Sequence, residues 1–155
     1  WTCVWSPCGR YLGTASEDQS TKIWDSHQQF KYLDTLTGHS SAVTCIDWTY
    51  LNNGTREIFA TCADDRTVMI WKPERNDDGL KWNLLHTFSP SNVLGWFTFT
   101  YLRFERDGNR LICGTENGYV CIFDMDKMKQ SYARCLHRGS IEGLECNKNG
   151  LAVSV

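Results

Sequence analysis

One stretch, Leu36 to Pro73 (LTGHSSAVTCIDWTYLNNGTREIFATCADDRTVMIWKP), recurs along the chain, and this recurrence limits the fold more than any single residue does. Cys3–Asp25 aligns with Ile46–Lys72 once an insertion at 51–54 is allowed. Trp5 then meets Trp48, Thr14 meets Thr61, Asp18 meets Asp65, and Ile23-Trp24 meets Ile70-Trp71. A weaker copy runs over 102–124, with Phe104 in place of Trp5, Cys113 of Thr14, Asn117 of Asp18 and Phe123 of Trp24. A further copy begins at Ile141 and stops partway. Each copy is a series of short β-rich runs separated by turn residues. No apolar spacing of helical period is present.

A period of roughly forty to fifty residues is that of a propeller blade. The Gly38-His39 pair, the Ser/Thr-bearing strand, the acidic turn and the Ile-Trp pair make the chain resemble the WD40-repeat family. The resemblance implies an all-β, WD40-type β-propeller in which each blade is a four-stranded antiparallel sheet. It also implies a buried network joining His, Ser/Thr, Asp and Trp. By position the second copy has the full set, His39, Thr61, Asp65 and Trp71; the first has Thr14, Asp18 and Trp24. The residues support these roles on their own chemistry. Ala-Asp-Asp-Arg between two β-rich runs is a tight turn. A buried Trp needs a partner for its indole N–H, and a buried His needs both nitrogens accounted for. His39 and Asp65 are therefore read as structural, not as a catalytic pair.

Complete propellers have about four to eight blades, so this chain is expected to be a partial propeller of about three and a half four-stranded blades. The expected divisions are 1–37 (a blade incomplete at its start), 38–89 (the full motif), 90–137 (degenerate) and 138–155 (the start of another blade). Trp1 and Val155 both fall inside expected strands, which favours a segment of a longer chain over a half-propeller completed by a partner.

The net charge of -2 and pI of about 6.1 give no global basic field, which disfavours direct nucleic-acid binding. No apolar run approaches the roughly 18 residues of a membrane span, so no membrane insertion is expected. The eight cysteines contain no Cys-x-x-Cys pair. Cys45, Cys62, Cys113 and Cys121 fall on expected strands, where a free Cys acts as a small buried hydrophobe. Structural thiols are favoured over disulfides or zinc, and they suit the cytoplasm or nucleus. Asn53-Gly54-Thr55 matches a glycosylation sequon, but Asn-Gly is also a hairpin turn, which is the favoured reading.

Along the chain, Thr49–Thr55 reads as a longer turn, Lys72–Gly79 as a polar surface loop, and Tyr132–Leu136 as the outer strand of the third copy after a polar link at Asp126–Gln130. The irregular part is Ser89–Tyr101. Here Pro90 replaces the Gly-His loop, and Trp96, Phe97, Phe99 and Tyr101 follow. Buried, these aromatics are core. On the loop face, Trp96 and Phe97 are candidate hot spots.

No phosphate-cradling Gly-rich loop, His-Glu-x-x-His or nucleophile elbow is present, and His27, His39, His86 and His137 do not have metal-ligand spacing. No cofactor and no enzymatic activity are expected. The resemblance implies an interaction scaffold, a WD40 subunit of a multiprotein complex that binds other proteins or peptides. Its candidate partner face carries Glu17, Gln19, Ser40, Ser41, Asp64, Arg66 and Glu116, together with Trp96 and Phe97. Two alternatives remain. One is a substrate receptor of a ubiquitin ligase, although Trp24-Asp25-Ser26-His27 and Phe123-Asp124-Met125-Asp126 lack the Trp-Asp-x-Arg of one such class. The other is a reader of a modified peptide, which would need an aromatic cage.

Overall fold

The computed structural model describes residues 2–51, 56–77, 79–89 and 97–146, and the strand Ala152–Ser154. The architecture is all-β and matches a partial WD40 propeller. The first sheet contains β1 (Cys3–Trp5), β2 (Tyr11–Ala15), β3 (Thr21–Asp25) and β4 (Lys31–Leu36). The second contains β5 (Val43–Leu51), β6 (Arg56–Ala63), β7 (Val68–Asn76) and β8 (Gly79–Phe88). The third contains β9 (Phe99–Phe104), β10 (Arg110–Thr115), β11 (Tyr119–Asp124) and β12 (Lys129–Cys135). Each of these four-stranded sheets is an antiparallel meander in chain order. β13 (Leu144–Cys146) pairs with β14 (Ala152–Ser154).

The repeat is kept to the level of single rungs. Thr14 pairs with Lys22, Thr61 with Met69 and Cys113 with Cys121 at equivalent places. The outer hairpin bulges at the same rung each time, between Ile23 and Trp24, Ile70 and Trp71, and Ile122 and Phe123. A bulge leaves one residue unpaired and bends the strand. Here the extra residues are Leu33, Leu85 and Ser131. Leu33 and Leu85 turn against the cores between neighbouring sheets, whereas the Ser131 hydroxyl donates to the Ile122 carbonyl (3.1 Å).

The core lies between sheets. Tyr11, Ile23 and Leu36 of the first sheet pack against Ile46, Trp48, Phe59 and Trp71 of the second. The opposite face of the second sheet, with Ile58, Ala60, Cys62 and Ile70, meets Phe99, Leu102, Leu111 and Phe123 of the third. Covered on both faces, β6 reads as a nearly continuous apolar run, Ile58–Ala63. β2 and β3 alternate strictly, because among the described residues only one face of the first sheet is covered. Sheet joints repeat too. The Val43 N–H donates to the Ser16 carbonyl (3.0 Å), and the Ile141 N–H donates to the equivalent Thr115 carbonyl (3.1 Å).

Three sequence expectations are corrected. β5 runs to Leu51, so Thr49–Leu51 is strand and not turn. β12 begins at Lys129 and not at Tyr132. Lys72–Gly79 is not a surface loop: β7 and β8 continue past the blade as a hairpin, with Pro73 opposite Trp82 and Arg75 opposite Leu80. β6 stops pairing with β7 at Trp71, so the missing Pro73 amide costs no bond on that side. Trp82, 3% exposed, anchors the extension edge-on against Tyr11 of the first sheet (5.3 Å between ring centroids). Pro90, Trp96 and the Asn53-Gly54-Thr55 turn lie outside the described residues.

Candidate interaction face and the network beneath it

The β2–β3, β6–β7 and β10–β11 turns lie at one end of the sheets and share one geometry. Gln19, Arg66 and Gly118 each hold the left-handed position of their turn, with φ of 70°, 69° and 82°. The preceding Asp fixes the turn by bonding its own backbone two residues on. Asp18 accepts from the Ser20 N–H (3.0 Å) and hydroxyl (2.6 Å), and Asp65 does the same with Thr67 (2.9 and 2.7 Å). Hydrogen bonds from Ser20 draw the Asp18 pKa down to about 2. In the third turn Asn117 instead accepts from the Thr115 hydroxyl (2.7 Å).

Beneath the second turn the donors run in one direction. The Trp71 indole N–H donates to the Thr61 hydroxyl oxygen (2.9 Å). The Thr61 O–H then points to His39 Nε2 (2.8 Å), and His39 Nδ1–H donates to Asp65 Oδ2 (2.9 Å). This tautomer satisfies every member of the chain. Burial pulls the His39 pKa below its ordinary value, against the opposing pull of the Asp65 carboxylate, and so favours neutral imidazole. Burial also opposes ionisation of Asp65, but bonds from Thr67, the Ser40 N–H and His39 outweigh it and hold its pKa low. The Ser40 N–H donates to Asp65 (2.9 Å), so the Gly38-His39 loop is tied directly to the neighbouring turn. In the first sheet the Trp24 indole donates to Thr14 (3.1 Å). In the third, Phe123 has no N–H to satisfy; it stacks on Phe88 of the second sheet (4.5 Å between centroids).

Glu17, Gln19, Ser40, Asp64 and Glu116 are exposed, and Ser41 and Arg66 are half-buried. Glu116 also accepts from the Thr98 N–H (3.1 Å), so part of its carboxylate serves the scaffold. Phe97 is removed from the candidate face. It is 1% exposed, packed edge-on against Phe99 and stacked on Tyr119, because a fully apolar ring fills the joint between the second and third sheets. Trp96 lies outside the described residues.

One charged feature was missed at the sequence level. Asp47, Arg103 and Glu145 sit at the same position of successive inner strands, one residue before Trp48, Phe104 and Cys146. Arg103 lies 3.5 Å from each carboxylate. Burial pushes the Asp47 pKa up to about 6, although Asp47 accepts from the Phe104 N–H (2.7 Å). Aligning the copies one residue to the left of the aromatic would have exposed this row.

Comparison with known proteins covers up to 82% of the chain. The family model for the WD domain, G-beta repeat, matches residues 1–25 and 30–72. The chain is 30% identical over 126 residues to the protein transport protein SEC13 of Coccidioides immitis, a match covering 75% of this chain and 38% of that protein. It is 31% identical over 129 residues to the ubiquitin homeostasis protein lub1 of Schizosaccharomyces pombe, covering 82% and 15% respectively. It is 32% identical over 97 residues to Denticleless protein homolog A of Xenopus laevis, covering 57% and 13%. The chain thus spans well under half the length of these relatives.

Proposed function

Because the chain belongs to the WD40-repeat family, we propose that it is part of a non-enzymatic protein-interaction scaffold, a subunit of a multiprotein assembly whose partners dock on the turn face. One observation carries this reading: the relay Trp71–Thr61–His39–Asp65 spends its polar groups on one another and holds the exposed loop and turn as a rigid unit. Binding residues on loops positioned by a rigid scaffold are a recurrent arrangement. The blades proposed are 1–37, 38–89, 90–137 and 138–155. The fully or partly exposed Glu17, Gln19, Ser40, Ser41, Asp64, Arg66 and Glu116 form the candidate contact set.

His39, the residue most suggestive of catalysis, is 7% exposed and has both ring nitrogens engaged. Among the described residues no group of three or more His, Cys, Asp and Glu has the placement to hold a metal. No described helix is long and apolar enough to cross a membrane. The free cysteines support placement in a reducing compartment, cytoplasm or nucleus. The relatives include a protein transport protein and a ubiquitin homeostasis protein, and the receptor alternative becomes an outcome of partner identification.

The test is charge reversal on the face. The double variant Asp64→Arg, Arg66→Glu in the full-length protein is expected to lose partner recovery while keeping its thermal midpoint. Undiminished recovery would remove this face from the reading.

A further inference from the structure

At the opposite end of the strands from the turn face, the second sheet carries a feature outside the repeat. The extended β7–β8 hairpin brings Pro73, Arg75 and Leu80 over Tyr11 of the first sheet, with Glu57 at the start of β6. These five residues line an open cavity of about 240 Å³. A second space of about 190 Å³ borders the same Tyr11, Arg75 and Leu80 and reaches Arg10 and Asp25.

Glu57 is the unusual member. Its Oε1 is buried and has no hydrogen-bond partner. Glu57 is half-buried as a residue, and that burial raises its pKa. A buried carboxylate ordinarily finds a cation or donors. Asp25, the other acid bordering these spaces, accepts from Arg10 at 2.8, 3.1 and 3.3 Å. Arg75 is exposed on the cavity wall and forms no ion pair with Glu57. Among the described residues the buried side-chain polar atoms without a partner are Trp48 Nε1, Glu57 Oε1 and Trp82 Nε1. Of these, only the Glu57 carboxylate lines the cavity and can accept a hydrogen bond; the two indoles are donors on rings packed near Tyr11 (6.3 and 5.3 Å between centroids). Native interiors leave few such groups, and an acceptor without a partner on a cavity wall asks for an explanation. The Tyr11 ring already attracts one cation, the Arg10 guanidinium, 5.2 Å from its centroid.

We propose that this cavity is a socket for a lysine side chain presented by a partner protein, with Glu57 as its counter-ion and Tyr11, Pro73 and Leu80 as its apolar walls. The lysine stem lies along the apolar walls, and its ammonium replaces the partner that Glu57 lacks. Arg75, exposed on the same cavity wall, repels an incoming cation. The socket does not rest on the turn-face reading, because it lies at the other end of the sheets.

The test is a titration of the full-length protein with N-acetyl-lysine amide, followed through the Trp48 and Trp82 indole N–H resonances. A saturable shift is expected, weaker by about tenfold or more in Glu57→Gln, as loss of a charged hydrogen bond implies, and tighter in Arg75→Ala. N-acetyl-norleucine amide, which lacks the charge, is expected to give none. Glu57→Gln removes a desolvated charge, so its thermal midpoint is expected to hold or rise, which separates lost binding from lost folding. A lysine shift unchanged in Glu57→Gln would overturn the proposal, as would silence in both wild type and Arg75→Ala. Methylammonium binding as tightly as the lysine amide would overturn the side-chain source and leave a site for a free ammonium ion.

Discussion

At the residue scale, the hydroxyl of Thr61 is the hub of the second blade. It accepts from Trp71 and donates to His39, and both contacts are buried. Thr61→Val keeps the shape and orphans two polar groups, so it is expected to cost about 2–4 kcal/mol in chemical denaturation. The equivalent change at Thr14 leaves only the half-buried Trp24 unpaired and is expected to cost less. Asp47 makes a second residue-scale prediction. Its native pKa is raised from the ordinary 3.8 to about 6, so between these values the folded state binds more protons than the unfolded one. Its contribution is therefore most favourable below about pH 4 and is lost as pH rises through 6, a change of about 2–3 kcal/mol. His39 has the opposite slope, since its pKa is lowered and folding stability falls as pH drops below its ordinary 6.5. Comparing wild type with Asp47→Asn isolates the carboxylate: the variant is expected to be the more stable at pH 7, with the difference vanishing near pH 4. An Asn variant no more stable at pH 7 would show that the buried charge carries no cost.

At the scale of elements, the shared left-handed turn position distinguishes the copies. Gln19 and Arg66 tolerate it, but Gly118 also passes close to the His137 carbonyl, which a Cβ would strike. Gly118→Ala is therefore expected to lower stability by about 2 kcal/mol or more, strain and clash together, whereas Gln19→Gly is expected to be near neutral; thermal melts decide. The strands and turns of the first two copies were legible because their Trp, Thr and Asp recur in register and each has an obligatory partner. The extended hairpin was not legible. KPERNDDG looks like a loop by composition, and what makes it strand is burial of Trp82 beneath Tyr11, a contact between residues of different blades. Phe97 was undecidable for the same reason: Phe97-x-Phe99-x-Tyr101 fits a core strand and an exposed strand equally, and packing in the core between the second and third sheets settles it. The buried relay was readable from chemistry alone, whereas the Asp47–Arg103–Glu145 row shows only once the inner strands of the copies are aligned residue by residue.

At the scale of the whole molecule, the repeated joints are the distinctive feature. The same rung and the same bulge recur in all three four-stranded sheets, and the same inter-sheet hydrogen bond recurs at two joints. Stability in such arrays is set largely by neighbour interfaces, and that stiffness suits a platform for other proteins better than a site that must move. The most direct measurement is native purification of the full-length protein, with co-purifying proteins quantified by mass spectrometry. Stable partners in fixed ratio are expected, lost on charge reversal at Asp64 and Arg66. Recovery of the protein alone, at every salt concentration tried, would contradict the scaffold reading.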